Sequence, residues 1–175
     1  MRLFGTDGIR GEAGKYPLTA ENILKLAKAS SLVLKKKNSI SRVLINKDTR
    51  ISSYIYEPAL TAGFISMGIN VVLVGPLPTP ALTLLSKSLR ADFSVMITAS
   101  HNPFFDNGLK FFSNQGYKIS TEDENKIEDY FFNYDFDNFK IKHSNYGKAI
   151  RLNDAMGRYS EVLKRSADRD LDYSK

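Results

Sequence analysis

Apolar positions over residues 19–97 alternate between helical spacing and short continuous runs. From Thr19 onward, Ile23, Leu26, Ala27, Ser30, Val33 and Leu34 recur three and four apart, which predicts a helix with one covered face; Pro17 stands just outside it. Val43-Leu44-Ile45 then predicts a strand. A second helix is predicted over 52–67, closed by Gly68 as a C-cap glycine, with Pro58 predicting a kink or a later start. Residues 70–74 predict a strand, Gly75-Pro76 and Pro78-Thr79-Pro80 a rigid loop, and 81–88 a short helix. The run 92–97 predicts a short buried strand, and 109–112 another. This alternation argues for an α/β fold whose sheet is parallel or mostly parallel and covered by helices.

In such a sheet, ligands bind beyond the carboxyl ends of the strands, where loops and helix N-termini converge. Three loops fall there: Asn46-Lys47-Asp48-Thr49-Arg50, the Pro78-Thr79-Pro80 segment, and the loop carrying Ser100. The later third says less about chemistry. Thr121-Glu122-Asp123-Glu124 reads as a capping box, and Ile127, Tyr130, Phe131 and Tyr134 follow at helical spacing as core positions. Residues 135–148 lack a period and read as connecting structure, with a hairpin as one form; His143 within it is expected to be exposed.

The chain has 175 residues, 42% of them hydrophobic and 25% charged, which suits one compact domain with a start on another. With no cysteine there is no disulfide framework or thiolate metal site, which suits a reducing cytoplasm. No run approaches the roughly 20 apolar residues needed to cross a bilayer. Met1-Arg2-Leu3-Phe4-Gly5 lacks an apolar signal core, so no membrane partner is expected. A net charge of +6 favours anionic partners, phosphorylated sugars and nucleic acid alike. Lys35-Lys36-Lys37 falls at a helix C-terminus, where cations suit the macrodipole. No basic stripe interleaved with aromatics appears, so nucleic acid is not the expected partner.

Thr98-Ala99-Ser100-His101-Asn102-Pro103, followed by Asp106-Asn107-Gly108-Leu109-Lys110, carries the candidate chemistry. The stretch between the two predicted strands is small or turn-forming, so its N–H groups are free to meet an anion. Pro103 keeps a helix from starting, and Asn107-Gly108 is expected to supply a positive-φ turn. That reversal would bring the Lys110 ammonium towards Ser100, so that a cation, a hydroxyl and backbone donors converge. No Gly-x-Ser-x-Gly elbow surrounds Ser100 and no acid is placed to orient His101, which argues against a serine hydrolase.

This segment resembles the active-site serine loop of the α-D-phosphohexomutases. Phe4-Gly5-Thr6-Asp7-Gly8-Ile9-Arg10-Gly11 resembles, more narrowly, the N-terminal signature of the bacterial phosphoglucosamine mutases. The resemblance covers essentially the whole chain, but only the first of the family's four domains and the linker beyond it. It implies a three-layer α/β/α domain with a mostly parallel mixed sheet over residues 1–150, and a linker with the first helix of a second domain over 151–175. Residues 157–164 resemble that helix.

The implied chemistry is a phosphoserine at Ser100 that passes its phosphoryl group to an aminosugar monophosphate and recovers one from the other end. Glucosamine 1,6-bisphosphate is the implied intermediate, glucosamine 6-phosphate and glucosamine 1-phosphate the interconverted pair, and cell-wall precursor synthesis the implied destination. Arg10 matches the arginine that holds the transferring phosphate, Lys110 a lysine that aids proton transfer or steadies charge, and His101 an organiser of the loop. Asn102, Asp48, Arg50, Asn107 and Gly108 match its supports, although Ile51-Ser52-Ser53 departs from the usual Ser-Gly after the arginine. Mg²⁺ is implied on a phosphate oxygen of Ser100, its other ligands lying in the second domain. Asp168, Asp170 and Asp172 lack the glycines of that metal loop and read as surface charge. The fragment alone is therefore expected to be inactive. A phosphomannomutase or phosphoglucomutase first domain, or a non-catalytic phosphate- or nucleic-acid-binding module, are the alternatives.

Overall fold

Three apolar runs form the middle of the fold because each is covered on both faces. In the computed structural model, which describes residues 2–36 and 40–167, these are β2 (Arg42–Lys47), β3 (Asn70–Leu73) and β4 (Phe93–Ile97). They pair in parallel, β4–β2–β3. Alternate residues divide between two cores. Val43, Ile45, Val71, Phe93, Val95 and Ile97 join one core, under α1 (Ala20–Leu34), α2 (Ser53–Ser66) and α4 (Thr121–Asn133). Leu44, Val72 and Met96 join the other, under α3 (Thr79–Ser88) and α5 (Ala155–Ser166). Each such side chain contributes about 1.5–3 kcal/mol of burial, so the fully covered middle strands anchor the three layers.

Two antiparallel strands extend one side. β5 (Asp106–Ser113) pairs with β4, and β1 (Ile9–Glu12) pairs with β5 at the edge. On the other side β6 (Ala149–Arg151) adds in parallel to β3, giving the order β1-β5-β4-β2-β3-β6. The sheet is mixed, as the resemblance implied, and the carboxyl ends of β2, β3 and β4 share one edge.

Several local expectations are corrected. Asn107 and Gly108 are not a turn but lie inside β5, paired with Gly11 and Arg10 of β1. The positive φ falls instead on Ser100, at 58°. α2 starts at Ser53 and not after Pro58; the proline sits in its second turn, where the carbonyl it leaves unpaired is that of Tyr54, a residue 65% exposed. The cap of α4 is Ser120, one residue earlier than read, its hydroxyl accepting from the Asp123 N–H at 3.0 Å. Residues 135–148 form no hairpin; they pass through a 3₁₀ turn at His143–Asn145 into the parallel β6. α3 begins at Thr79, with Pro80 in its first turn. The side chain of His143, Lys37, and the aspartates at 168, 170 and 172 lie outside the described residues.

Candidate functional site

The loop 98–105 leaves the carboxyl end of β4 and returns as β5, and Ser100 stands exposed at its start. Thr98 and Ala99 are buried beneath it, and the Ser100 N–H donates to the Thr98 hydroxyl at 2.9 Å. A left-handed φ on a non-glycine residue is uncommon and persists only where the surroundings fix it. Here the fixing group is Arg50, at the carboxyl end of β2. One of its terminal nitrogens donates to the carbonyls of Pro103 and Asp106 at 2.5 and 2.9 Å, the other to those of Ser100 and Asn102 at 2.9 and 2.8 Å. Its Nε–H donates to Asp48 at 3.1 Å, and Asp48 also accepts from the Arg50 N–H and the Ser53 hydroxyl. All five guanidinium protons are thereby engaged, so Arg50 braces the loop.

Asn107 supports the loop from the other side. It is fully buried, and its amide donates to the hydroxyls of Ser52 at 2.7 Å and Ser53 at 3.2 Å, tying β5 to the start of α2. Gly108 is required by proximity: a Cβ there would lie 2.5 Å from the Ile9 carbonyl oxygen and 2.9 Å from that of Thr98. Asn102 reaches Asp106 at 2.9 Å.

Across β5, the signature turn supplies the charges. Gly8 has φ +88°, and a Cβ on it would lie 2.3 Å from the Leu109 carbonyl oxygen, so the turn lies flat on β5 only with glycine there. Asp7 then extends one carboxylate oxygen, Oδ2, to both the Lys110 ammonium at 2.7 Å and the Arg10 guanidinium. Burial pushes the Asp7 carboxyl up, but the Lys110 hydrogen bond and charge, with Arg10 and Lys118 behind them, hold it below its ordinary value. Arg10 also reaches Asn102 Oδ1 of the serine loop at 3.3 Å, and among the described residues its buried Nε–H has no partner. An open cleft of about 410 Å³ lies along this turn, lined by Phe4, Gly5, Thr6, Asp7 and Arg10.

The predicted residues therefore meet in a different order from that expected. Among the described residues Lys110 binds Asp7, not Ser100, and is linked to the serine loop through the chain Lys110–Asp7–Arg10–Asn102. His101 Nδ1 is 3.4 Å from the Ser100 hydroxyl, and among the described residues no carboxylate pairs with it. The Pro78-Thr79-Pro80 segment follows β3 at the same edge as the loops after β2 and β4, tied to β2 by Asn46 Nδ2, which donates to the carbonyls of Leu77 at 2.9 Å and Pro78 at 3.4 Å. The residue that sequence reasoning left unassigned is Asp7. Its available signal was an acid between Gly5 and Gly8, three positions before Arg10. Among the described residues no cluster of three His, Asp or Glu side chains stands ready for a metal ion.

Residues 1–138 match the family model described as phosphoglucomutase/phosphomannomutase, alpha/beta/alpha domain I. The phosphoglucosamine mutase of Citrifermentans bemidjiense is 47% identical over 99% of this chain, and that of Paramagnetospirillum magneticum 51% identical over 97%. The chain spans about 38% of the length of each of these curated relatives. A phosphoglucomutase/phosphomannomutase family protein from Burkholderia thailandensis superposes with a TM-score of 0.78 at 23% identity, covering 99% of this chain and 36% of its own, a likeness of fold. No helix among the described residues is long and apolar enough to cross a membrane. With this sheet order, this serine loop and these matches, the chain belongs to the phosphoglucomutase/phosphomannomutase family and carries that family's α/β/α domain I.

Proposed function

We propose that this domain carries the phosphoryl group in a phosphoglucosamine mutase, with Ser100 as the carrier. The observation that supports this reading is the exposed serine at a left-handed position, its carbonyl held by Arg50 and an arginine with an unpartnered donor across the strand. The relatives that match nearly all of the chain at 47–51% identity bear that name. In the proposed step an oxygen of an aminosugar monophosphate bonds to phosphorus as the Ser100 Oγ–P bond breaks, and the sugar hydroxyl's proton ends on Oγ. The reverse step at the other end of glucosamine 1,6-bisphosphate restores phosphoserine and releases the isomer. A phosphoserine brings roughly −1.5 to −2 charges, which cations on Arg10 and Lys110 offset. His101 lies close enough to orient the serine oxygen. A phosphate oxygen on Ser100 would be one ligand of Mg²⁺, which would supply further positive charge to the transferring group. A cytoplasmic setting is part of the same proposal.

The test uses the full-length protein, purified without phosphatase treatment. The reading expects phosphate mapped to Ser100, turnover of glucosamine 6-phosphate in preference to mannose and glucose phosphates, and activity at background in Ser100→Ala. Ordinary turnover by Ser100→Ala would sink it. A preference for mannose or glucose phosphate would keep the carrier serine and transfer the reading to a phosphomannomutase or phosphoglucomutase.

A further inference from the structure

We infer that Asp7 is an internal counter-anion that holds the Arg10 guanidinium and the Lys110 ammonium together and yields them to a phosphoryl oxygen arriving beside Ser100. The inference deepens the proposed function and rests on it for the identity of that arriving group. It makes Asp7 a positioning residue: it exchanges no bond with substrate, but sets when two cations are available to it.

Three observations carry it. First, one oxygen serves both cations: Asp7 Oδ2 accepts from Lys110 Nζ at 2.7 Å and from Arg10 Nη2. Without a negative group between them, two like charges would face each other. Second, the cations and the anion are mounted differently. Arg10 lies in β1 and Lys110 in β5, paired strands of one sheet, whereas Asp7 lies on the turn between Gly5 and Gly8. The Asp7 side chain is 55% exposed against 25% and 17% for its partners, so the anion is the member free to move. Exposed pairs are weak because water and salt screen them, and a phosphate dianion therefore outcompetes a single carboxylate. Third, Arg10 has donors left over. Its Nη1 bond to Asn102 is long at 3.3 Å, and its buried Nε–H has no acceptor. Such a donor is costly unless an oxygen meets it at some stage. The cleft of about 410 Å³ beside Asp7 gives the carboxylate room to withdraw.

The test reads binding of inorganic phosphate to this 175-residue chain, at constant ionic strength set with chloride. Arg10 and Lys110 side-chain resonances report occupancy. Asp7→Asn and Asp7→Ser should each bind phosphate about threefold tighter or more, since a half-exposed competing charge is removed. Asp7→Glu should return affinity to the wild-type value. Glu12→Gln, which removes a carboxylate at the far end of β1 that pairs with Lys15, should change nothing, and so separates a local effect from a general gain in positive charge. Adding Arg10→Gln to Asp7→Asn should erase the gain. Unchanged or weaker phosphate binding in both neutral variants overturns the inference, as does a gain that survives loss of Arg10 or is matched by Glu12→Gln.

In the full-length protein, Asp7→Asn should lower KM and kcat together, whereas a merely structural loss would raise KM. An active wild type whose Asp7 variants leave phosphate affinity untouched would refute the inference and spare the function. A phosphate gain in this chain with no mutase activity in the full-length wild type would do the reverse.

Discussion

Replacing Arg50 by alanine removes the group that holds the serine loop in shape, and the cost follows from its partners. Of the four carbonyls it binds, those of Asn102 and Asp106 are partly buried, and those of Ser100 and Pro103 are exposed. Water replaces the guanidinium at the exposed pair, so little is lost there. The two partly buried bonds contribute about 1 kcal/mol each, the mid-range of an ordinary hydrogen bond because water still reaches both carbonyls. Asp48 also loses its ion-pair partner, worth about 0.5–1 kcal/mol at its partial exposure. Urea unfolding of this chain should therefore show a loss of about 2.5–3 kcal/mol, or about 5–12 °C in melting temperature for a domain of this length.

Amides of residues 99–106 should exchange with solvent faster, while those of β2 and β4 change only with global stability. Arg50→Lys keeps the charge but not the planar five-donor fork, and should recover less than half of the loss. Stability within about 0.5 kcal/mol of wild type in Arg50→Ala, with loop exchange unchanged, would refute the reasoning.

Glu57→Ala leaves Lys47 buried without its partner, since the two pair at 2.7 Å with each side chain 7% exposed, and should cost about 3–5 kcal/mol in urea unfolding. A loss under about 1 kcal/mol would mean that Lys47 reaches water in solution. Gly8→Ala must take a left-handed conformation and meet the Leu109 carbonyl, so a loss of at least about 2 kcal/mol is expected, with weakened Ile9–Leu109 cross-strand contacts by NMR. The folded-state depression of Asp7 adds stability that is present above its ordinary value of 3.8 and lost as pH falls through the lower folded value. The stability gap between wild type and Asp7→Asn should accordingly narrow below pH 3.8 and shrink with added salt; a gap that widens on acidification would contradict the sign.

What could be read in advance was what burial writes into the sequence. β2, β3 and β4 are covered on both faces, so they stand out as apolar runs, and α1 shows its face through Ile23, Leu26 and Ala27. The edge strands could not be read that way. β1 offers Ile9 as its one fully buried side chain among Arg10, Gly11 and Glu12, and β6 is exposed at all three positions, so backbone pairing alone makes them strands. Asn107-Gly108 misled for a related reason. The dipeptide's local preference is a turn, but Asn107 is bonded to two buried hydroxyls and Gly108 is pressed between two carbonyls. Tertiary contacts overrode the local signal. Ser100 and Arg50 were visible as residues, whereas the carbonyls that Arg50 holds belong to a loop conformation no side-chain pattern encodes.

Arg10 and Arg50 illustrate how much of a site is decided by partners rather than by residue type. Both lie in motifs, both carry the same five-donor fork, and both touch the serine loop. Arg50 has every proton committed, four contacts to backbone carbonyls and one to Asp48, so binding a ligand anion would require dismantling the loop. Among the described residues Arg10 commits protons to Asn102 and Asp7, and keeps a buried Nε–H unmet. Spare donor capacity, not charge, separates an arginine that builds a site from one that serves an incoming phosphoryl group. Arg10→Lys should therefore weaken inorganic phosphate binding to this chain while leaving urea stability nearly unchanged, and Arg50→Lys should do the opposite. Equal losses of both kinds in both variants would dissolve the distinction.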